Sequence, residues 1–302
     1  MILISPKQSL ARRKLGMNSK SFFRFASIPY VVWMAIFVII PLLFIVGYAF
    51  TDASGAFTLE NFSNMGTYAG VFKRSFMQAA LATVVCLLIG YPFAYILSNE
   101  KRIVQKIAML LIMLPMWMNF LLRTYAWMSI LENNGFLNQF FRSIGLIDYL
   151  NNIGMISTDY IPMINTNFAV VLGMVYNYLP FMILPIYTVL SGIDRRYIEA
   201  AQDLGANRFQ TFMRLILPLS LPGVLSGVMM VFIPSVSTFA ISRLLGGGLH
   251  WLLGDVIDMQ FLGGTYNPHL GSAISLIMMI VVLLCMGIMN RFGDGEDEAV
   301  LL

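Results

Sequence analysis

Charge is scarce in this chain. Only 11% of its 302 residues are Asp, Glu, Lys or Arg, where a soluble globular protein carries roughly 25%. A chain of this length in water needs a polar shell, so the shortage excludes an ordinary soluble domain. Cysteine and histidine are scarcer still. Cys86 and Cys285 both lie inside apolar runs, which argues against a disulfide framework and against a zinc site. His250 and His269 are too few for a histidine metal centre. The Gly-rich Lys motif that cradles phosphates is absent, as is the polar cluster an intramembrane enzyme needs. The expectation is therefore no catalytic residues, no metal ligands and no cofactor bound by this chain. The formal charge of +4 asks for no nucleic-acid partner, because membrane topology accounts for the basic residues.

Hydrophobic residues make up 58% of the chain, and they are segregated. Six runs reach the ~20 residues that a helix needs to cross the hydrocarbon core: Ile28–Ala49, Phe76–Leu97, Ile107–Met128, Phe168–Leu190, Leu221–Ser242 and Leu270–Asn290. None contains an acidic residue and only Arg123 is basic, as the cost of charge in lipid demands. The pattern predicts an all-α integral membrane protein with six transmembrane helices. Lys7, Arg12, Arg13, Lys14, Lys20 and Arg24 precede the first run. Lys101, Arg102 and Lys106 join the second to the third, and Arg195, Arg196, Arg208 and Arg214 join the fourth to the fifth. Only Lys73, Arg74, Arg142 and Arg243 fall on the opposite side. Because basic residues favour the cytoplasmic side, both termini are expected there. The first run is too long for a signal-peptide core, so an uncleaved first span is expected. Arg123 is expected near the outer headgroups.

The chain divides into a basic N-terminal segment (1–27), a first helix with its outer loop (28–75), a membrane core (76–291) and an acidic cytoplasmic tail (292–302). In the outer segment Ser129–Asn167, Phe136, Leu137, Phe140, Phe141 and Ile144 repeat at helical spacing. They suit either a short amphipathic surface helix or a loop packed on the helix ends. Pro92, Pro115, Pro180, Pro185 and Pro234 interrupt spans, and each removes a backbone hydrogen bond.

The segment at about 194–218 between the fourth and fifth runs is the most informative. Asp194 is placed to cap a short helix, Gly205 to end it in the left-handed conformation, and Asn207 with Gln210 to open a second. Tyr197, Ala201 and Leu204 share a face suited to the chain's own bundle, while Glu199 and Gln202 point elsewhere. These residues alone fit a partner-docking loop or an interfacial helix with no partner.

Glu199-Ala200-Ala201, followed by Gly205 and by Ile216 and Pro218, resembles the EAA loop of type I ABC import permeases. Gly90–Ala94, Leu114–Tyr125, Leu179–Tyr187 and Glu199–Ala206 are similar to permeases of spermidine/putrescine importers. The resemblance covers nearly the whole chain from the first span onward, and the longer basic N-terminal segment departs from it. It implies the type I ABC importer permease fold in the bacterial inner membrane. It also implies coupling to a cytoplasmic ATP-binding subunit present in two copies, a second permease subunit, and an extracellular or periplasmic polyamine-binding protein. ATP is then used by the partner subunits. The implied coupling residues are Glu199, Ala200, Ala201, Asp203, Gly205 and Ala206.

A polyamine is a flexible cation, yet the spans hold no carboxylate. Its contacts here are expected to be aromatic faces and amide oxygens. The candidates are Trp117, Asn119, Tyr125 and Trp127 on the third span and Tyr176, Asn177 and Tyr178 on the fourth. For each, ordinary packing is the competing role. Another small solute, or a secondary carrier, remains the alternative; the ion-coupling residues and paired repeats typical of carriers are missing.

Overall fold

The computed structural model describes residues 28–294, and every structural statement below concerns that part of the chain. The basic segment 1–27 and the acidic tail from residue 295 onward lie outside the described residues.

Uninterrupted apolar sequence becomes long helix. Helix α1 (Ile28–Ala49) is followed by α2 (Ala69–Ser98), whose 30 residues are more than a bilayer requires. Next come α3 (Arg102–Met113), α4 (Phe120–Leu131), α5 (Phe136–Ser143) and α6 (Leu146–Asn152). The long α7 (Asn167–Gly192) leads through α8 (Arg195–Asp203) into α9 (Arg208–Ser237). Short α10 (Ala240–Leu245) and α11 (Leu253–Leu262) precede α12 (Pro268–Asp294).

Among the described residues five helices are long and apolar enough to span a membrane, and the bent pair Arg102–Trp117 and Phe120–Ser143 makes six when it is counted as one span. This third span is not the straight helix its apolar run suggests. It bends by 93°. Pro115 cannot donate to the preceding turn, Met118 turns extended, and Asn119 restarts the helix by accepting the N–H groups of Leu121 and Leu122 at 2.8 and 3.3 Å. The fifth span also ends early, at Ser237, so Ser242 belongs to α10.

The core is a three-helix contact among α2, α7 and α9, held close by small residues. A Cβ added at Gly223 of α9 would sit 2.9 Å from the Pro185 carbonyl oxygen and 3.1 Å from Val189 Cβ of α7, so a side chain there would push the two helices apart. The burial gradient locates the centre: 61% of the apolar window of α7 is buried, against none of α1. Phe37, Leu43 and Phe44 of α1 are all about three-fifths exposed, which suits a helix bathed in lipid. A second cluster, with Ala49, Val256 and Ile274, joins the end of α1 to α11 and α12.

The segment after α4 combines both forms that its spacing allows. It is helical, and α5 turns Leu137 and Phe141 onto the core while Phe136 and Phe140 stay exposed. Buried Asn138 fixes it, donating to the carbonyls of Glu132 and Ile161 and accepting Ile161 N–H at 2.9 Å.

Candidate functional site

Two regions hold the residues singled out by the sequence. The first joins α7 to α9. Asp194 stands outside helical geometry and its carboxylate accepts Arg196 N–H at 3.0 Å, which starts α8. The helix ends in a Schellman motif: Ala206 N–H donates to Ala201 O at 3.0 Å, and Gly205 N–H to Gln202 O at 2.8 Å. That motif places Gly205 at φ +86°, where any side chain is strained. Asn207 and Gln210 then exchange bonds of 2.8 and 3.0 Å as a capping box.

The faces of α8 differ from expectation. Tyr197 is 62% exposed and Leu204 89%, so neither packs on the chain's own bundle. Ile198 does so instead, with Ala201 half-buried beside it. Leu204 is the first residue past the helix, and the glycine turn carries it away from the inner face. With Phe209 (72% exposed) it leaves apolar surface that no described residue covers. Glu199, Ala200, Asp203 and Gly205 are exposed around it, and Ala206 is half-buried.

The exit of this loop is gripped by the bundle. The ring of Phe212 meets Tyr91 and Tyr95 of α2 edge-on, with centroids 6.0 and 5.2 Å apart. The hydroxyls of Tyr91 and Ser220 are 2.9 Å apart, which ties α2 to α9. On the other flank, Tyr187 OH donates to Gln105 Oε1 at 3.1 Å, joining α7 to α3. The chain leaving the loop is thus packed on α2, and at the same end α7 is tied to α3.

The second region surrounds the bend of the third span. Arg123 is turned into the protein, not out to its surface. It is 8% exposed, and its Nη1 donates to Pro115 O at 2.9 Å, across the break. The bend leaves that carbonyl with the Met118 N–H of its own tight turn, at 3.2 Å, and brings the guanidinium within reach as a second donor. The same guanidinium lies 5.7 Å from the centre of the Tyr176 ring, which also meets Trp127 edge-on at 5.2 Å.

The structure thus brings Trp127 and Tyr176 together, around a cation of the chain's own. Tyr178 lies apart, lining a groove of about 600 Å³ between α7 and α9 with Phe181, Met230 and Pro234. Trp117 and Tyr125 are exposed, at 78% and 47%. Asn119 is engaged as a helix cap. Asn177 is 2% exposed and donates to Gly173 O at 2.8 Å, leaving its own carbonyl oxygen without a partner.

One feature eluded the sequence. Asp255 lies outside every span, yet it is only 4% exposed. The start of α11 is tucked against the end of α9: a Cβ at Gly254 would fall 2.5 Å from Ser237 O, and Leu253 N–H donates to Ser75 Oγ of α2 at 2.8 Å. Asp255 accepts Leu252 N–H at 2.9 Å and caps the helix there. One turn on, the Asp258 carboxylate pairs with Arg243. Gly254 was the only local signal, because such a close approach admits no side chain.

Comparison with known proteins gives this architecture its context. Residues 87–294 match the family described as binding-protein-dependent transport system inner membrane component. The chain is 38% identical over 267 residues to the spermidine/putrescine transport system permease protein PotB of Haemophilus influenzae, covering 86% of this chain and 90% of that protein. It is 36% identical over 260 residues to the PotB of Escherichia coli K12, covering 83% and 90%. Its fold is similar to a chain in the crystal structure of a bacterial ABC transporter involved in import of the acidic polysaccharide alginate, with TM-score 0.72, 16% identity, and coverage of 94% and 98%. A chain of the inward-facing MetNI methionine ABC transporter gives TM-score 0.54 at 16% identity, covering 77% and 97%. With the matched family spanning the core of helices and the gripped loop between α7 and α9, the chain belongs to the binding-protein-dependent transport system inner membrane components and is the permease of an ABC importer, a multi-pass protein of the inner membrane.

Proposed function

We propose that the face bearing α8 is cytoplasmic and that the loop from Asp194 to Pro218 docks on an ATP-binding subunit, two copies of which serve the complex. The observation that carries this reading is the apolar surface of Tyr197, Leu204 and Phe209, left uncovered on a loop whose helix ends are all capped. One exposed leucine is ordinary, but three large apolar side chains exposed on one short polar loop suit a protein contact. Glu199 supplies the polar contact, Ala200 and Ala201 the close-packing surface, and Gly205 the turn, with Asp203 and Ala206 flanking it. The chain has no ATPase site; hydrolysis belongs to the docked subunits. Segments 1–27 and 292–302 are cytoplasmic extensions, 28–75 a first helix with its outer loop, and 76–291 the core.

A second permease subunit completes the pathway, and a polyamine-binding protein delivers the substrate. The relatives named as spermidine/putrescine permeases, at 35–38% identity over most of the chain, support a polyamine substrate. The exposed rings of Trp117 and Tyr125 and the groove-lining ring of Tyr178 offer it aromatic faces. Tyr176 and Trp127 contribute less, since Arg123 already stands over Tyr176. Asn119 and Asn177 serve mainly as a helix cap and an intrahelical donor.

Orientation is tested by cysteine labelling in a background lacking Cys86 and Cys285. Asn207→Cys, exposed beside α8, is expected to react only after the membrane is opened. Asn133→Cys, exposed at the far end of α4, is expected to react in intact cells. Labelling of position 207 from outside intact cells would overturn the orientation and the docking together.

A further inference from the structure

At the membrane face opposite α8, α2 and α7 part to leave a groove of about 690 Å³. One wall is a stripe along α2: Met77, Leu81, Val85 and Ile89, spaced four residues apart. Phe168, Leu172 and Val175 of α7 form the other. Lys73 and Arg74 stand at its mouth, and neither forms an ion pair among the described residues. Just inside lies Gln78, 3% exposed; its Nε2 donates to Asn167 Oδ1 at 2.6 Å, and its buried Oε1 has no partner.

Each feature constrains an occupant. An apolar slot calls for hydrocarbon. From Met77 to Ile89 the stripe runs roughly 18 Å at the helical rise, close to the ~15 Å depth of one leaflet's hydrocarbon. Two uncompensated cations at headgroup level call for an anion, and they repel a polyamine. They also stand where lysine and arginine are otherwise sparse, which the topology rule leaves unexplained. The orphaned Gln78 carbonyl calls for a hydroxyl or amine donor on the same molecule. We propose that this groove binds an anionic glycerophospholipid whose headgroup carries hydroxyls, of the phosphatidylglycerol class. Its phosphate lies on Lys73 and Arg74, its headgroup hydroxyl donates to Gln78, and one acyl chain lies along the α2 stripe. The assignment to the outer leaflet rests on the orientation proposed above; the binding itself does not.

The test uses the assembled complex in nanodiscs of phosphatidylethanolamine with about one quarter phosphatidylglycerol. After re-extraction, retained lipid is identified by native mass spectrometry, and a photo-crosslinking residue at position 81 reports what occupies the groove. Phosphatidylglycerol is expected to be enriched over phosphatidylethanolamine and to be the adduct at position 81. Lys73→Gln with Arg74→Gln should cut that enrichment about 30-fold, the effect of two basic residues near an anionic headgroup. Leu81→Trp keeps both cations, fills the half-exposed groove, and should also release the lipid. Equal retention of both lipids, unchanged retention in Leu81→Trp, or crosslinks to a polypeptide would overturn the proposal. Labelling at Asn207 reports separately on orientation, so the two failures are distinguishable.

Discussion

Gly205→Glu is expected to abolish ATP-driven uptake while the permease still folds and enters the membrane. The effect comes from the backbone alone. Nothing lies within 4 Å of a Cβ built at Gly205, so no clash arises, but φ is +86°. An L-residue pays about 1–2 kcal/mol in that region, enough to shift a short exposed turn into another conformation. Both bonds of the Schellman motif would then be lost, and Leu204 and Phe209 would no longer be held in one surface. Gly205→Asn should retain much of the activity, because asparagine tolerates the left-handed region. Glu199→Lys, which only reverses charge on the exposed face of α8, should impair docking without disturbing the turn. Uptake, ATP hydrolysis and co-purification of the ATPase subunit would be measured together. Full uptake by well-expressed Gly205→Glu would remove this loop from the mechanism.

Arg123→Met should lower thermal stability of the complex and reduce uptake at least tenfold. The methionine keeps apolar bulk but withdraws the donor that spans the break between α3 and α4, leaving Pro115 O only the Met118 N–H of its own turn. A hydrogen bond from a charged donor contributes about 1.5–3 kcal/mol, and a broken span inside a bilayer has no water to replace it. Arg123→Lys should recover little, since a lysine cannot reach Pro115 O while keeping a planar face over Tyr176. Wild-type stability and uptake in Arg123→Met would show that the bend holds without the clamp.

What was legible in the sequence is what depends on near neighbours in the chain. The apolar runs mark the helices because spanning needs little more than length and absent charge. The caps of α8 and of the helix after it are formed by residues two to five positions apart, so Asp194, Gly205, Asn207 and Gln210 could be read directly. Features set by packing between distant segments were not. The third apolar run hides a right-angled break, because Pro115 also occurs in merely kinked helices and only Asn119 signals the restart. The burial of Arg123 and its bond to Pro115 O follow from that break and could not be read from the run itself. The helical wheel of α8 misplaced Tyr197 and Leu204, since the bundle accepts Ile198 and leaves them outside. Asp255 lies in a glycine-rich connection, and its burial against α2 and α9 depends on contacts 178 residues apart in sequence.

The central claim is that this permease, with its partner subunits, admits polyamines at the expense of ATP. It is tested most directly by reconstituting the complete complex in proteoliposomes and measuring uptake of labelled spermidine, putrescine, amino acids and sugars delivered with the binding protein. Accumulation of spermidine or putrescine is expected only with ATP on the α8 side, and is expected to vanish in Gly205→Glu. Accumulation without ATP, or preference for an amino acid or sugar over both polyamines, would contradict the account.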